Sequence, residues 1–146
     1  MTYPENIEEI KKFAKKIGLD VKYLLGEKYR GSLYLDSVRS LPDNIKFNVG
    51  GNLDLRSVKS LPDNIVFDVG GYLDLSSVKS LPDNIKFNVG GDLYLFSVKS
   101  FPENIVFNVG GWLNLYSVQS LQGNIVFNVH RYISISTNHK VNVIWS

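Results

Sequence analysis

The sequence predicts a mainly β protein: a parallel β-solenoid of five twenty-residue coils with an α-helical cap at its amino end. Three observations predict it. Nearly the same twenty residues recur five times, beginning at Gly31, Gly51, Gly71, Gly91 and Gly111. A short fixed period marks a solenoid, because one unit cannot bury its apolar edge alone. Within a unit the apolar residues fall on odd numbers, as in Ile45, Phe47, Val49, Leu53 and Leu55. A period of two means strand, with those side chains on one face. Finally, Gly50-Gly51 interrupts the apolar run, and Ser60-Leu-Pro-Asp-Asn64 follows it. Glycine permits a bend between two short strands, and proline with Asp or Asn makes a turn. Parallel crossovers are right-handed as a rule, so a right-handed coil is expected.

Residues 2–17 read as an amphipathic helix. Thr2-x-x-Glu5 has the form of a capping box, and Pro4 suits a first turn. Ile7, Ile10, Phe13, Ala14 and Ile17 mark the buried stripe. Glu5, Glu8 and Glu9 come early and four lysines come late, which suits the helix dipole and allows a Glu8–Lys12 pair. Gly18 is the stop, and Asp20 starts one more helical turn through Leu25. Residues 1–30 are thus a helical cap. Residues 31–130 are the coils, and 131–146 are a carboxyl-terminal strand cap, all within one domain.

Each coil reads as strand, glycine bend, strand and polar turn, with Val58 and Leu61 as two further inward residues. Stacked coils place like positions over one another about 4.8 Å apart. Asn44 to Asn124 then form one ladder, and Ser37 to Ser117 and Ser40 to Ser120 form two more. These small polar groups are expected to satisfy turn donors and bond one another. After Val129 the repeat breaks. Residues 131–136 keep strand alternation, 137–140 read as a turn, and Val141, Val143 and Trp145 make a last apolar strand. An uncovered sheet end invites a second copy, so a homodimer through this end is expected.

The pattern Leu53-x-Leu55-x-x-Val58-x-x-Leu61-Pro62 resembles a leucine-rich repeat, above all the short bacterial kind with Leu-Pro in each unit. The units are also similar to twenty-residue SLPDN/VGG repeats of bacterial and phage proteins. The resemblance covers residues 31–129. Val58 stands where the usual leucine-rich unit has asparagine, and no helix fits between Leu61 and Leu73, so the solenoid is the firmer part. The resemblance implies a recognition scaffold, and a phage-encoded anti-defence role in the host cytoplasm.

Three outward positions flank the leucines of each second strand, and there the copies diverge. The rows read Ser32, Asn52, Tyr72, Asp92, Trp112 and Tyr132; Tyr34, Asp54, Asp74, Tyr94 and Asn114; Asp36, Arg56, Ser76, Phe96 and Tyr116. Aromatic residues concentrate toward the carboxyl end, rimmed by Asp74 and Asp92. Interfaces draw much of their binding energy from such residues. The partner-binding set is therefore Tyr34, Arg56, Tyr72, Asp74, Asp92, Tyr94, Phe96, Trp112, Tyr116 and Tyr132. A basic row, Arg39, Lys59, Lys79, Lys99 and Gln119, is expected to pair with the acidic turn row Asp43, Asp63, Asp83 and Glu103. The row Lys46, Val66, Lys86, Val106 and Val126 turns apolar and offers a weaker second surface.

Composition narrows the function. The net charge of +2 fits neither a nucleic-acid binder nor a mimic of DNA. Without cysteine there is no disulfide and no thiolate metal site. The first residues lack a signal-peptide pattern, and no apolar run spans a membrane, so a cytoplasmic location is expected. No nucleotide or dinucleotide motif occurs, and no cofactor or metal is assigned. His130 and His139 alone are a weak metal signal. Asp54 and Asp74 would be stacked carboxylates beside Arg56. The leading function is a non-catalytic module that binds, and inhibits, a protein partner through the aromatic face. Two alternatives stand beside it: a binder of small ligands or carbohydrates, and a glycan hydrolase using the face carboxylates.

Overall fold

The computed structural model describes residues 2–135 and the strand at 143–144. Helix α1 (Ile7–Ile17) leads into one 3-10 turn (Val21–Leu24). The strands follow in order: β1 (Leu33–Tyr34), β2 (Lys46–Val49), β3 (Leu53–Asp54), β4 (Val66–Val69), β5 (Leu73–Asp74) and β6 (Lys86–Val89). After them come β7 (Leu93–Tyr94), β8 (Asn104–Val109), β9 (Trp112–Leu115), β10 (Asn124–Val129), β11 (Tyr132–Ile135) and β12 (Val143–Ile144). The even strands form one six-stranded sheet and the odd strands another. From β1 to β11 all pairings are parallel and join positions twenty apart, such as Phe67 with Phe87 and Leu73 with Leu93. The protein is a β-solenoid: two sheets and a third side of turns wrap one apolar column.

The odd-numbered residues fill that column as their period requires. Ile45, Phe47, Val49, Leu53, Leu55 and Val58 are buried, and so are their counterparts in the next two coils. Phe47, Phe67, Phe87, Phe107 and Phe127 stack face to face, with centroids 5.9, 5.8, 5.4 and 5.3 Å apart. In the fourth coil Phe101 replaces the usual leucine and packs 5.5 Å from Phe107. The glycine corner is a matter of close approach. A Cβ on Gly70, Gly90 or Gly110 would strike the carbonyl of the glycine one coil below.

The turns are held by asparagine. Asn44, Asn64 and Asn84 have φ near +60°, a conformation asparagine tolerates better than most residues. Asn64 Nδ2 donates to Asn44 Oδ1 at 3.1 Å, and Asn124 Nδ2 to Asn104 Oδ1 at 3.2 Å. A second such row escaped the sequence reading: Asn88 donates to Asp68 and Asn128 to Asn108 on the outer face of the even sheet. The serine rows behave otherwise than expected. Ser57 and Ser97 donate to the backbone carbonyls of Asp36 and Ser76, not to one another. A carbonyl one coil away is the nearer acceptor, because the chain turns there.

At the amino end the helix starts later than its capping-box pattern implied. Thr2 to Asn6 precede it, and no side chain caps it. Asn6 is used elsewhere: it donates to the Asp43 carbonyl and accepts from Asn44 Nδ2 at 2.9 Å, continuing the asparagine ladder. Ile10 and Ala14 are buried, while Ile7, Phe13 and Ile17 are half-buried. Gly18 ends the helix in the left-handed region at φ 73°, and Leu19 N–H bonds Ala14 O at 2.9 Å. Asp20 caps the 3-10 turn through Lys22 N–H. Glu8 pairs with Lys11 rather than Lys12, both exposed, a contact of little energetic weight. Leu25 and Tyr29 then bridge to β2, so the cap also covers the first edge of the even sheet.

At the carboxyl end the two last strands do not pair with each other. β11 stacks on β9 and β12 on β10, which opens a sixth coil. Phe127 lies opposite Val143, sixteen positions on rather than twenty. The expected turn at 137–140, His139, and the side chains invoked for dimerisation lie outside the described residues. Among the described residues, the basic row and the acidic turn row form no ion pair. Asp43 instead accepts the backbone N–H of Asp63.

Candidate functional site

The three variable rows lie on the outer face of the odd sheet. Part of their variation is backbone bookkeeping. Ser32 Oγ accepts from Asn52 N–H at 2.9 Å, Asn52 Oδ1 from Tyr72 N–H at 2.9 Å, and Asp92 Oδ1 from Trp112 N–H at 2.8 Å. In the second row Asp54, Asp74 and Asn114 each accept the N–H two residues ahead, at 3.0–3.1 Å. These Asx turns end the short strands, and Asp or Asn serves equally well. The aromatic residues have no such duty. They are what remains once the backbone has been satisfied.

The aromatic side chains form a contiguous belt. Tyr94 is its hub: 6.1 Å from Tyr72, 5.7 Å from Phe96 in near-parallel stacking, and 6.4 Å from Trp112 edge-on. Trp112 continues to Tyr132 at 5.3 Å. Phe96 is 41% exposed and Tyr132 56%, while Tyr72, Tyr94 and Trp112 are half-buried among them. Tyr34 and Tyr116 are more open still, at 59% and 62%, but stand outside the ring contacts. The Trp112 Nε1–H is buried and has no acceptor among the described residues. Beside Trp112 and Tyr132 the glycine corner leaves a shallow trough of bare backbone, flanked by Asp92 and Arg131. Arg131 was absent from the sequence-derived set. The glycine pairs next to the first row were the signal that could have shown the trough.

The amino-terminal part of the face is polar. Asp54 is 2% exposed, against the outward, solvated position that strand alternation implied. The Arg56 side chain folds over it: Nε bonds both carboxylate oxygens at 3.0 and 3.1 Å, and Nη2 reaches Oδ2 at 2.5 Å. The fork neutralises the buried charge, and it raises the guanidinium pKa through those bonds and the charge of Asp54. Asn114 is buried as well. Asp74 lies opposite Asp54 in the sheet register, half-buried, and bonds the Ser76 hydroxyl. Of the two neighbouring carboxylates, Asp54 is thus closed off by Arg56, while Asp74 is only half-buried.

Phenol acidities differ along the face. Burial raises the pKa of Tyr72. Burial first, and then the hydrogen bond its hydroxyl donates to Asp92, raises that of Tyr94. Hydrogen bonds with the Asn52 and Ser32 side chains lower that of Tyr34. Among the described residues no three His, Cys, Asp or Glu side chains gather as metal ligands, and no helix is long and apolar enough to cross a membrane.

Fold and face together define a short β-solenoid with an aromatic strip along one sheet. No protein-family model, no curated protein and no solved structure matches this chain.

Proposed function

We propose that the protein is a non-catalytic binding module that docks a protein partner on the aromatic face of the odd sheet. The belt from Tyr72 through Tyr94 and Phe96 to Trp112 and Tyr132 carries this reading. Aromatic side chains offer large contact area at low entropic cost and dominate binding hot spots. An exposed strip of them on one small sheet exceeds what solubility favours. Inhibition of the partner, and the anti-defence role implied by the repeats, are proposals of the same kind and rest on the resemblance.

The test compares capture by the unaltered chain with capture by a Phe96→Ala, Tyr116→Ala double variant of equal thermal stability. A protein retained in stoichiometric amount by the first and lost from the second supports the reading. Equal retention overturns it. A co-purifying sugar or small molecule in place of a protein would favour the small-ligand alternative.

A further inference from the structure

The odd-sheet face is acidic on a protein whose net charge is positive. It holds four carboxylates, Asp36, Asp54, Asp74 and Asp92, against two guanidiniums, Arg56 within the rows and Arg131 at the edge of the trough beside Asp92, while the chain as a whole carries +2. Two of the carboxylates are committed internally. Asp92 receives the Trp112 N–H and the Tyr94 hydroxyl, and Asp54 is closed off by Arg56. Asp74 uses Oδ1 for Ser76 and keeps Oδ2 free of hydrogen bonds, and the exposed Asp36 carboxylate bonds nothing among the described residues. The charges of Asp36 and Asp74 also act on Arg56, so one cation answers three anions. Immediately beyond Asp74 lie Tyr72 and the near-parallel pair Tyr94 and Phe96. Ring faces attract cations, and the attraction grows where a carboxylate adjoins them. The basic row Lys59, Lys79 and Lys99 follows the buried Val58, Val78 and Val98, and so belongs to the third side of the coil.

We infer, on the basis of the protein-binding reading, that the partner docks a basic segment on this face, with an arginine seated on the exposed ring of Phe96, at the end of its stack with Tyr94 and near Asp74. Arginine fits better than lysine because its guanidinium is planar, weakly hydrated and able to stack. The unbalanced carboxylates supply the complementary charge, and the rings supply the apolar floor.

Capped tetra-arginine and tetra-glutamate peptides, titrated into the full chain and followed by amide NMR shifts, test this. Tetra-arginine should bind roughly tenfold tighter than tetra-glutamate and shift the amides of Tyr94, Phe96 and Trp112. Asp74→Asn should weaken it about threefold or more, and added salt should weaken it further. The asparagine keeps the Asx turn, as Asn114 already does with Tyr116 N–H, so this variant removes charge alone. Lys79→Gln should change nothing. Equal binding of the two peptides, or arginine binding indifferent to Asp74→Asn, overturns the inference. A captured partner that the Phe96→Ala, Tyr116→Ala variant loses but an Asp36→Asn, Asp74→Asn variant keeps in full overturns it too. That last outcome leaves the protein-binding reading standing.

Discussion

At position 70 a single methyl group is too much. Its Cβ would meet the Gly50 carbonyl, which is backbone and cannot step aside. Gly70→Ala should therefore cost about 1–3 kcal/mol, read as a lower urea midpoint with an unchanged slope. Trp112 poses the reverse case. Its buried Nε1–H lacks an acceptor among the described residues, and an orphan donor costs about 1–3 kcal/mol. Trp112→Phe removes that donor along with part of the ring, so thermal unfolding should move little in either direction. Tyr72 and Tyr94 resist ionisation, chiefly through burial. The unfolded chain gives up these protons from about pH 10, while the folded chain still holds them. The contribution of these two groups to stability should thus stay level below that pH and be lost as pH rises above it. In a tyrosinate absorbance titration, Tyr94→Phe should remove part of the late component, whereas Tyr34 belongs to the early part. Asp54 shows where residue-level reading stops. Alternation told which way it points, but not that Arg56, two residues on, would fold back and seal it from water.

At the scale of elements, the phenylalanine column ties coil to coil. Phe87 lies between Phe67 and Phe107 at 5.8 and 5.4 Å and is fully buried. Phe87→Ala should cost about 3–5 kcal/mol by calorimetry or denaturant unfolding, since a cavity in mid-column cannot collapse without shifting two neighbours. The strands were legible because a period of two in Ile45, Phe47 and Val49 has one physical meaning when five copies repeat it. The helix start was not. Thr2 and Glu5 have the spacing of a capping box, yet the Asn6 side chain joins the asparagine ladder and the helix begins after it. A local motif lost to a tertiary contact that only the fold brings near. The aromatic face was legible as a set of rows. Its belt was not, because ring contacts depend on rotamers that spacing does not reveal.

For the molecule as a whole, each coil touches only its neighbours, so cohesion is a sum of adjacent contacts. Amide exchange should be slowest in β4 and β6, inner strands of the even sheet, and faster in β11, the last strand of the odd sheet among the described residues. Uniform exchange from β2 to β11 would show instead that the chain opens as a single unit.

The glycine corner restricts how such a chain can lengthen or shorten. Where Gly70 sits on Gly50, a one-residue insertion would slide a side chain onto a carbonyl and tear the seam from that point onward. Excising a full period would reseal it, with every aliphatic finding its old neighbour and only the outward strip losing one row. Slippage during copying is thus tolerated in steps of one period and in no others. A lineage of such chains can reshape its contact strip by splicing rows while leaving its interior untouched.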